Sequence, residues 1–163
     1  TGGILVHAEL GVAEDNSGKL VSEVRKVARA EAERLRAEII FLDGPPGIGC
    51  PVHASLNNVE LAVIVTEPSA SGISDFERIL QLCEHFGIPV AVIINKSDLA
   101  PMLTEKIMQR CMAHDIPILG VIPFSREVPK ALSNGKTLLE VPDVLPVITR
   151  IHKQLKDMVS RVG

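Results

Sequence analysis

The 163-residue chain contains no tryptophan and no tyrosine, and only four phenylalanines. An aromatic platform on which nucleic-acid bases could stack is therefore not expected. A net charge of −3 gives no electrostatic footprint for binding a polyanion. Cysteine is scarce as well. Cys50, Cys83 and Cys111 are widely spaced and odd in number. That argues against a disulfide framework and for a reducing, cytoplasmic setting. Apolar runs are short. None approaches the roughly eighteen residues a transmembrane helix needs, and no charged n-region introduces an apolar stretch and a cleavage site. The chain also lacks an initiator Met and opens Thr1-Gly2-Gly3, so the expectation is a piece of a longer protein.

What is present is a balance of 46% hydrophobic and 23% charged residues. This suits a folded domain rather than disorder. Short apolar runs stand at 3–8, 39–42, 61–65, 90–94 and 118–122. They are apolar throughout rather than alternating, as strands covered on both faces are in parallel sheets. Helical patterns separate them. Residues 19–36 carry Leu20, Val24, Val27, Ala28 and Leu35 on one face. Their charged residues, Arg25 and Arg29 among them, read as a solvated face. Ser74-Asp75-Phe76-Glu77 has the form of a capping box, with Gly87 as the stop. A third pattern covers 103–113. A last helix starts near Asp143, with Pro146 in its first turn and an apolar stripe of Val144, Val147, Ile148, Ile151, Leu155 and Met158. The stripe lacks aromatics, so packing on a sheet is favoured over a membrane surface. The order predicts an α/β, doubly wound, mostly parallel sheet with helices on both faces. Ligands are then expected at the carboxyl ends of the strands.

Two segments at those ends carry chemistry. The first is Asp43-Gly44-Pro45-Pro46-Gly47-Ile48-Gly49-Cys50-Pro51. An Asp ending an apolar strand can hold a Mg²⁺ shell in P-loop enzymes, and Gly47 and Gly49 let backbone pass close to a phosphate or change conformation. The plainer reading, an Asp capping a helix before a stiff turn, fits the whole string less well. The second segment is Asn95-Lys96-Ser97-Asp98. The Asn carboxamide suits a base edge, the Lys stem can pack on a purine ring, and Asp98 can accept from guanine N–H groups. Equally, Asp98 can be the N-cap of the next helix.

Phe41-Leu42-Asp43-Gly44-Pro45-Pro46-Gly47, then Val63-Ile64-Val65-Thr66-Glu67-Pro68, then Ile93-Ile94-Asn95-Lys96 occur in this order. Together they resemble the MinD/ParA/Mrp group of P-loop ATPases, which includes the nitrogenase iron protein. The chain is most similar to MinD-like ATPases with an inserted ferredoxin domain, of the cobyrinic acid a,c-diamide synthase type. The resemblance implies that residues 1–163 are the C-terminal part of one P-loop NTPase domain. It implies that Asp43 is the Walker B aspartate acting with Mg²⁺, and that residues 44–51, Gly47 among them, form switch II. Asn95, Lys96 and Asp98 would line a base site closed by the loop after Ile122-Pro123. The cofactors implied are ATP and Mg²⁺, with a [4Fe–4S] cluster mainly in the inserted domain. A homodimer and a redox or iron–sulfur protein partner are also implied, while charge and aromatic content argue against nucleic acid and the C-terminal stripe against a membrane.

The chain departs from the group in lacking a Walker A loop. Gly11 and Gly18-Lys19-Leu20 mimic one, but those glycines are seven apart and Leu20 has no hydroxyl for Mg²⁺. Gly135-Lys136-Thr137 has the right ending without the preceding glycine. The expected fold is thus a P-loop NTPase fold without its Walker A strand. Residues 39–43 should then either pair directly with 61–65 or leave an edge that another chain fills. Cys50 stands seven residues after Asp43, the offset of a cluster-ligating switch II cysteine in the nitrogenase iron protein. The resemblance therefore offers Cys50 as an iron–sulfur ligand, beside the simpler role of a small residue packing the loop. Two further functions stand as alternatives: a GTPase that reads guanine through residues 95–98, and a partner-binding domain without turnover.

Overall fold

Three parallel strands carry the larger part of the molecule. In this computed structural model residues 4–8, 17–45 and 49–162 are described, and the chain divides into two compact units, Thr1–Val59 and Glu60–Gly163.

In the second unit, β1 (Ala62–Thr66), β2 (Val90–Ile94) and β3 (Ile118–Val121) pair in the order β1-β2-β3. Ala62 stands opposite Val90 and Thr66 opposite Ile94. Val92 faces Ile118 and Ile94 faces Val121, with an irregularity between Val92 and Ile93. Pro89 and Pro117 precede strands and donate nothing there. Their carbonyls open the ladders, accepting from Ala62 N (2.9 Å) and Val92 N (2.9 Å).

Helices α3 (Ala70–Phe86) and α4 (Pro101–Ala113) cover one face of this sheet. Phe76, Leu80, Ile107 and Cys111 are buried there against Ile64, Val92 and Ile94. The other face is covered by α6 (Leu145–Val162), where Ile151 packs on Ala91 and Leu119 with Val147, Ile148, Leu155 and Met158 around it. Every second strand residue thus meets a different helix layer, which explains why the strands are apolar throughout. The α6 stripe is spent on the sheet. Among the described residues no helix is long and apolar enough to cross a membrane.

The start of α3 differs from the sequence expectation. Ser69, not Ser74, is the N-cap, and its Oγ accepts from Gly72 N at 3.0 Å. Ser74 to Glu77 lie inside the helix, and the Glu77 carboxylate pairs instead with Arg110 of α4 at 2.9 Å. The stop is as expected: Gly87 takes φ +65°, the left-handed conformation glycine adopts without a Cβ penalty. After β3 come α5 (Glu127–Ser133) and a 3₁₀ turn, Leu138–Glu140. Thr137 and Glu140 form a reciprocal capping box there, so Gly135-Lys136-Thr137 is a helix-entry turn.

The first unit holds α1 (Ser17–Leu35) and α2 (Cys50–Leu56). Here the sequence reading needs correction. The described residues of 3–8, and residues 39–43, carry no strand. Ile40, Phe41 and Leu42 are exposed. A strand exists only beside a hydrogen-bonded neighbour, and the only described sheet has three strands with β1 at its edge. The helix expected over 19–36 begins two residues earlier, at Ser17, and ends at Leu35.

Candidate functional site

Because the three strands run in parallel, the segments after them share one edge of the sheet: Glu67-Pro68, Asn95 to Asp98, and Ile122 to Phe124. This is where ligands bind in open α/β sheets. Asn95 N extends the ladder by donating to Thr66 O at 2.7 Å. Its own Oδ1 accepts from Lys96 N at 3.0 Å, which turns the Nδ2 donor group outward from that bond. Lys96 adopts φ +53°, a conformation uncommon outside glycine and frequent at functional sites. Its ammonium reaches across the edge to Glu67 Oε2 at 2.7 Å. Both side chains are more than two-fifths exposed, so the pair fixes direction and contributes under about 1 kcal/mol. Glu67 was not singled out in the sequence. Its role depends on a residue 29 positions away, and only an acidic residue at a strand end hints at it.

The segment is held from two sides. Ser97 donates to Ile122 O twice, through N (3.0 Å) and through Oγ (3.2 Å). Buried Thr104 of α4 donates its hydroxyl to Ser97 O at 2.6 Å. Asp98 does not cap α4, whose N-cap is Ala100 without a side-chain bond. Its Oδ1 accepts from Phe124 N at 2.6 Å. Pro123 is exposed within the segment so held. The structure therefore brings Asn95, Lys96, Asp98 and Pro123 together on one edge.

Asp43 and Cys50 belong to the first unit. Asp43 is exposed at the end of an irregular stretch. Gly47 lies outside the described residues. Cys50 is exposed and opens α2, whose first amides are capped by Gly49 O, accepting from Val52 N (2.9 Å) and His53 N (3.3 Å). Residues 44–51 are thus not one loop, since residues 50 and 51 are already helical. Arg25 and Arg29, read as solvated, are turned to the far end of α2. Arg25 donates to Ala54 O (2.6 Å), Ser55 O (3.3 Å) and Asn58 O (3.4 Å), and Arg29 donates to Asn58 O at 3.3 Å. A cation on a helix C-terminus satisfies its orphan carbonyls and complements its dipole.

Cys83 and Cys111 are fully buried. Burial raises both thiols above the ordinary range, helped at Cys83 by the nearby Glu84 carboxylate. They are core residues rather than ligands. No group of three or more His, Cys, Asp or Glu is placed to hold a metal among the described residues. A groove of about 250 Å³ between α3 and α4 is lined by Phe76, Glu77, Ile107 and Arg110, none of them a residue of the 95–98 or 122–124 segments.

This fold is shared with the cell-division ATPase MinD of Pyrococcus furiosus, at a TM-score of 0.64 and 17% identity over 86% of this chain and 59% of that one. No family model matches the chain. Among curated relatives, an uncharacterized protein of Methanocaldococcus jannaschii is 28% identical over 156 residues, which is 95% of this chain and 51% of that protein. An uncharacterized ATP-binding protein of the same organism is 26% identical over 127 residues, 71% of this chain and 47% of that protein. A cytosolic Fe-S cluster assembly factor, the Nubp1 homolog of Drosophila willistoni, is 26% identical over 121 residues, 62% of this chain and 39% of that protein. The chain spans about half the length of the first two of these relatives.

Proposed function

We propose that this chain is the C-terminal part of a MinD/ParA-type P-loop ATPase, a cytoplasmic switch protein whose ATP hydrolysis is coupled to iron–sulfur or electron-transfer chemistry. The observation that carries the reading is the strand-end pair of segments, 95–98 and 122–124, tied together at the ligand edge of a MinD-like sheet. Similarity to an ATP-binding protein and to an Fe-S cluster assembly factor supports the nucleotide and the coupling respectively.

In this reading Asn95 offers its Nδ2 donors to the adenine edge, the Lys96 stem, aimed by Glu67, lies beside the ring, and Pro123 closes over it. Asp43 acts with Mg²⁺, and Gly47 and its neighbours sense the γ-phosphate. One carboxylate is a fitting contribution to a Mg²⁺ site, because this ion takes one or two carboxylates and fills the rest of its shell with phosphate oxygens and water. Held there by Asp43, Mg²⁺ would supply charge neutralisation for phosphoryl transfer. The Lys and Gly loop for the phosphates is assigned to sequence beyond this chain, and the working unit is a homodimer with nucleotide between subunits.

The described thiols do not fit a [4Fe–4S] cluster by themselves. Such a cluster takes four thiolates, and of the three cysteines only Cys50 is exposed. Cys50 is one candidate ligand at most, and the remaining thiols would have to come from outside the described residues.

The test is hydrolysis by the intact protein. ATP turnover that Asp43→Ala abolishes supports the reading. Turnover unchanged in that variant, or absent from the wild-type protein, contradicts it and leaves a partner-binding domain.

A further inference from the structure

The bond from Phe124 N to Asp98 Oδ1 has a specific cause in the sequence. Beyond the end of β3, Ile122 N still continues the sheet ladder by donating to Ile94 O at 2.8 Å. Pro123 has no N–H. Phe124 N is therefore the first donor free of the ladder, and the Asp98 carboxylate takes it at 2.6 Å, a charge-assisted bond across 26 residues. Ile122 O, just before it, receives both Ser97 donors. The two strand-end segments are thus laced by three bonds, and Asp98 provides the outermost.

We propose that Asp98 is the positioning residue of the base site, holding the 122–124 segment in place over it, and is not a reader of guanine. The inference rests on the assignment of residues 95–98 and 122–124 to the base. Guanine presents two adjacent N–H donors to a carboxylate, and their recognition takes both carboxylate oxygens. In this chain Oδ1 already accepts from Phe124 N, which fixes the carboxylate against the 122–124 backbone. Asn95 is similarly constrained, with Oδ1 bound to Lys96 N. Asp98 then sets how well the site is formed for either purine nucleotide, and the Asn95 Nδ2 donors are left to meet the base.

Two measurements on the intact protein test this. The first is amide hydrogen exchange at Phe124 without nucleotide. The second is calorimetric affinity for ATP and for GTP. Asp98→Ala is expected to speed Phe124 exchange and to weaken both nucleotides by a similar factor, about ten-fold, with their ratio unchanged. Asp98→Asn, which keeps an acceptor for Phe124 N, is expected to restore both readouts. The proposal is overturned if Asp98→Ala lowers GTP affinity alone, or if it leaves Phe124 exchange and ATP affinity as in wild type. A wild-type protein that binds neither nucleotide overturns the base-site assignment itself, and the positioning role with it.

Discussion

Gly120 in β3 lies directly beneath Ile151 of α6, so close that a Cβ at position 120 would overlap Ile151 Cγ1 and Cδ1 and touch Val147 Cγ1 at 3.6 Å. This contact sets how near α6 can approach the sheet, and it is the reason an apolar strand is interrupted by a residue without a side chain. Gly120→Ala is expected to destabilise the fold by about 1–3 kcal/mol through overpacking. Truncating the opposing residue as well, Gly120→Ala with Ile151→Ala, should cost less than the sum of the two single changes. Urea denaturation of the four-variant cycle measures the coupling, and strict additivity would contradict the packing account.

In the first unit, α1 and α2 are joined by Arg25, whose guanidinium donates to three carbonyls at the end of α2. Arg25→Ala should cost about 1.5–3 kcal/mol, the scale of hydrogen bonds to a charged donor. Hydrogen exchange should rise first in the α2 amides. Arg25→Lys should recover only part, since an ammonium is a point donor and cannot reproduce the planar fork. A solvated-face role for Arg25 would leave α2 exchange unchanged.

The buried thiols give the protein an alkaline limit. Cys83 and Cys111 titrate above the ordinary thiol value because burial disfavours the thiolate. The folded state therefore keeps protons that the unfolded chain releases above roughly pH 8.5. Stability from these groups is whole below that value and falls as pH rises through the folded range, by up to about 1.4 kcal/mol per pH unit for each thiol. No tyrosine is present to add its own slope. Urea midpoints between neutral and alkaline pH should decline more steeply in wild type than in the Cys83→Ala, Cys111→Ala double variant. Alkylation of the native protein should label Cys50 alone. Equal slopes, or early labelling of the two buried thiols, would contradict this.

Much of the second unit was legible in the sequence. Residues 61–65, 90–94 and 118–122 became strands within one residue of those bounds, because burial on both faces leaves an unbroken apolar run. The first unit was not legible in the same way. Ile4-Leu5-Val6 and Ile39 to Leu42 have the same composition, yet strand formation needs a neighbour, and no local pattern reports whether one is present. The entry to α3 was misread for a related reason. Ser69 and Ser74 are both chemically able to cap, and the choice was made by the fit of Ser69 Oγ to Gly72 N. At the strand-end site, Asn95, Lys96 and Asp98 were recognisable from residue type. The partners that define their geometry, Glu67, Thr104 and Phe124, are set by the fold and carry no signature of their own.

The proposed function requires an adenine nucleotide bound at the carboxyl edge of the sheet. Isothermal titration of the intact protein with Mg-ATP and Mg-GTP tests that most directly. It predicts ATP binding at least about ten-fold tighter than GTP, a gap of roughly 1.4 kcal/mol, and the same ratio in Asp98→Ala. A preference for GTP that disappears in Asp98→Ala would contradict it, and would make the 95–98 segment a guanine reader.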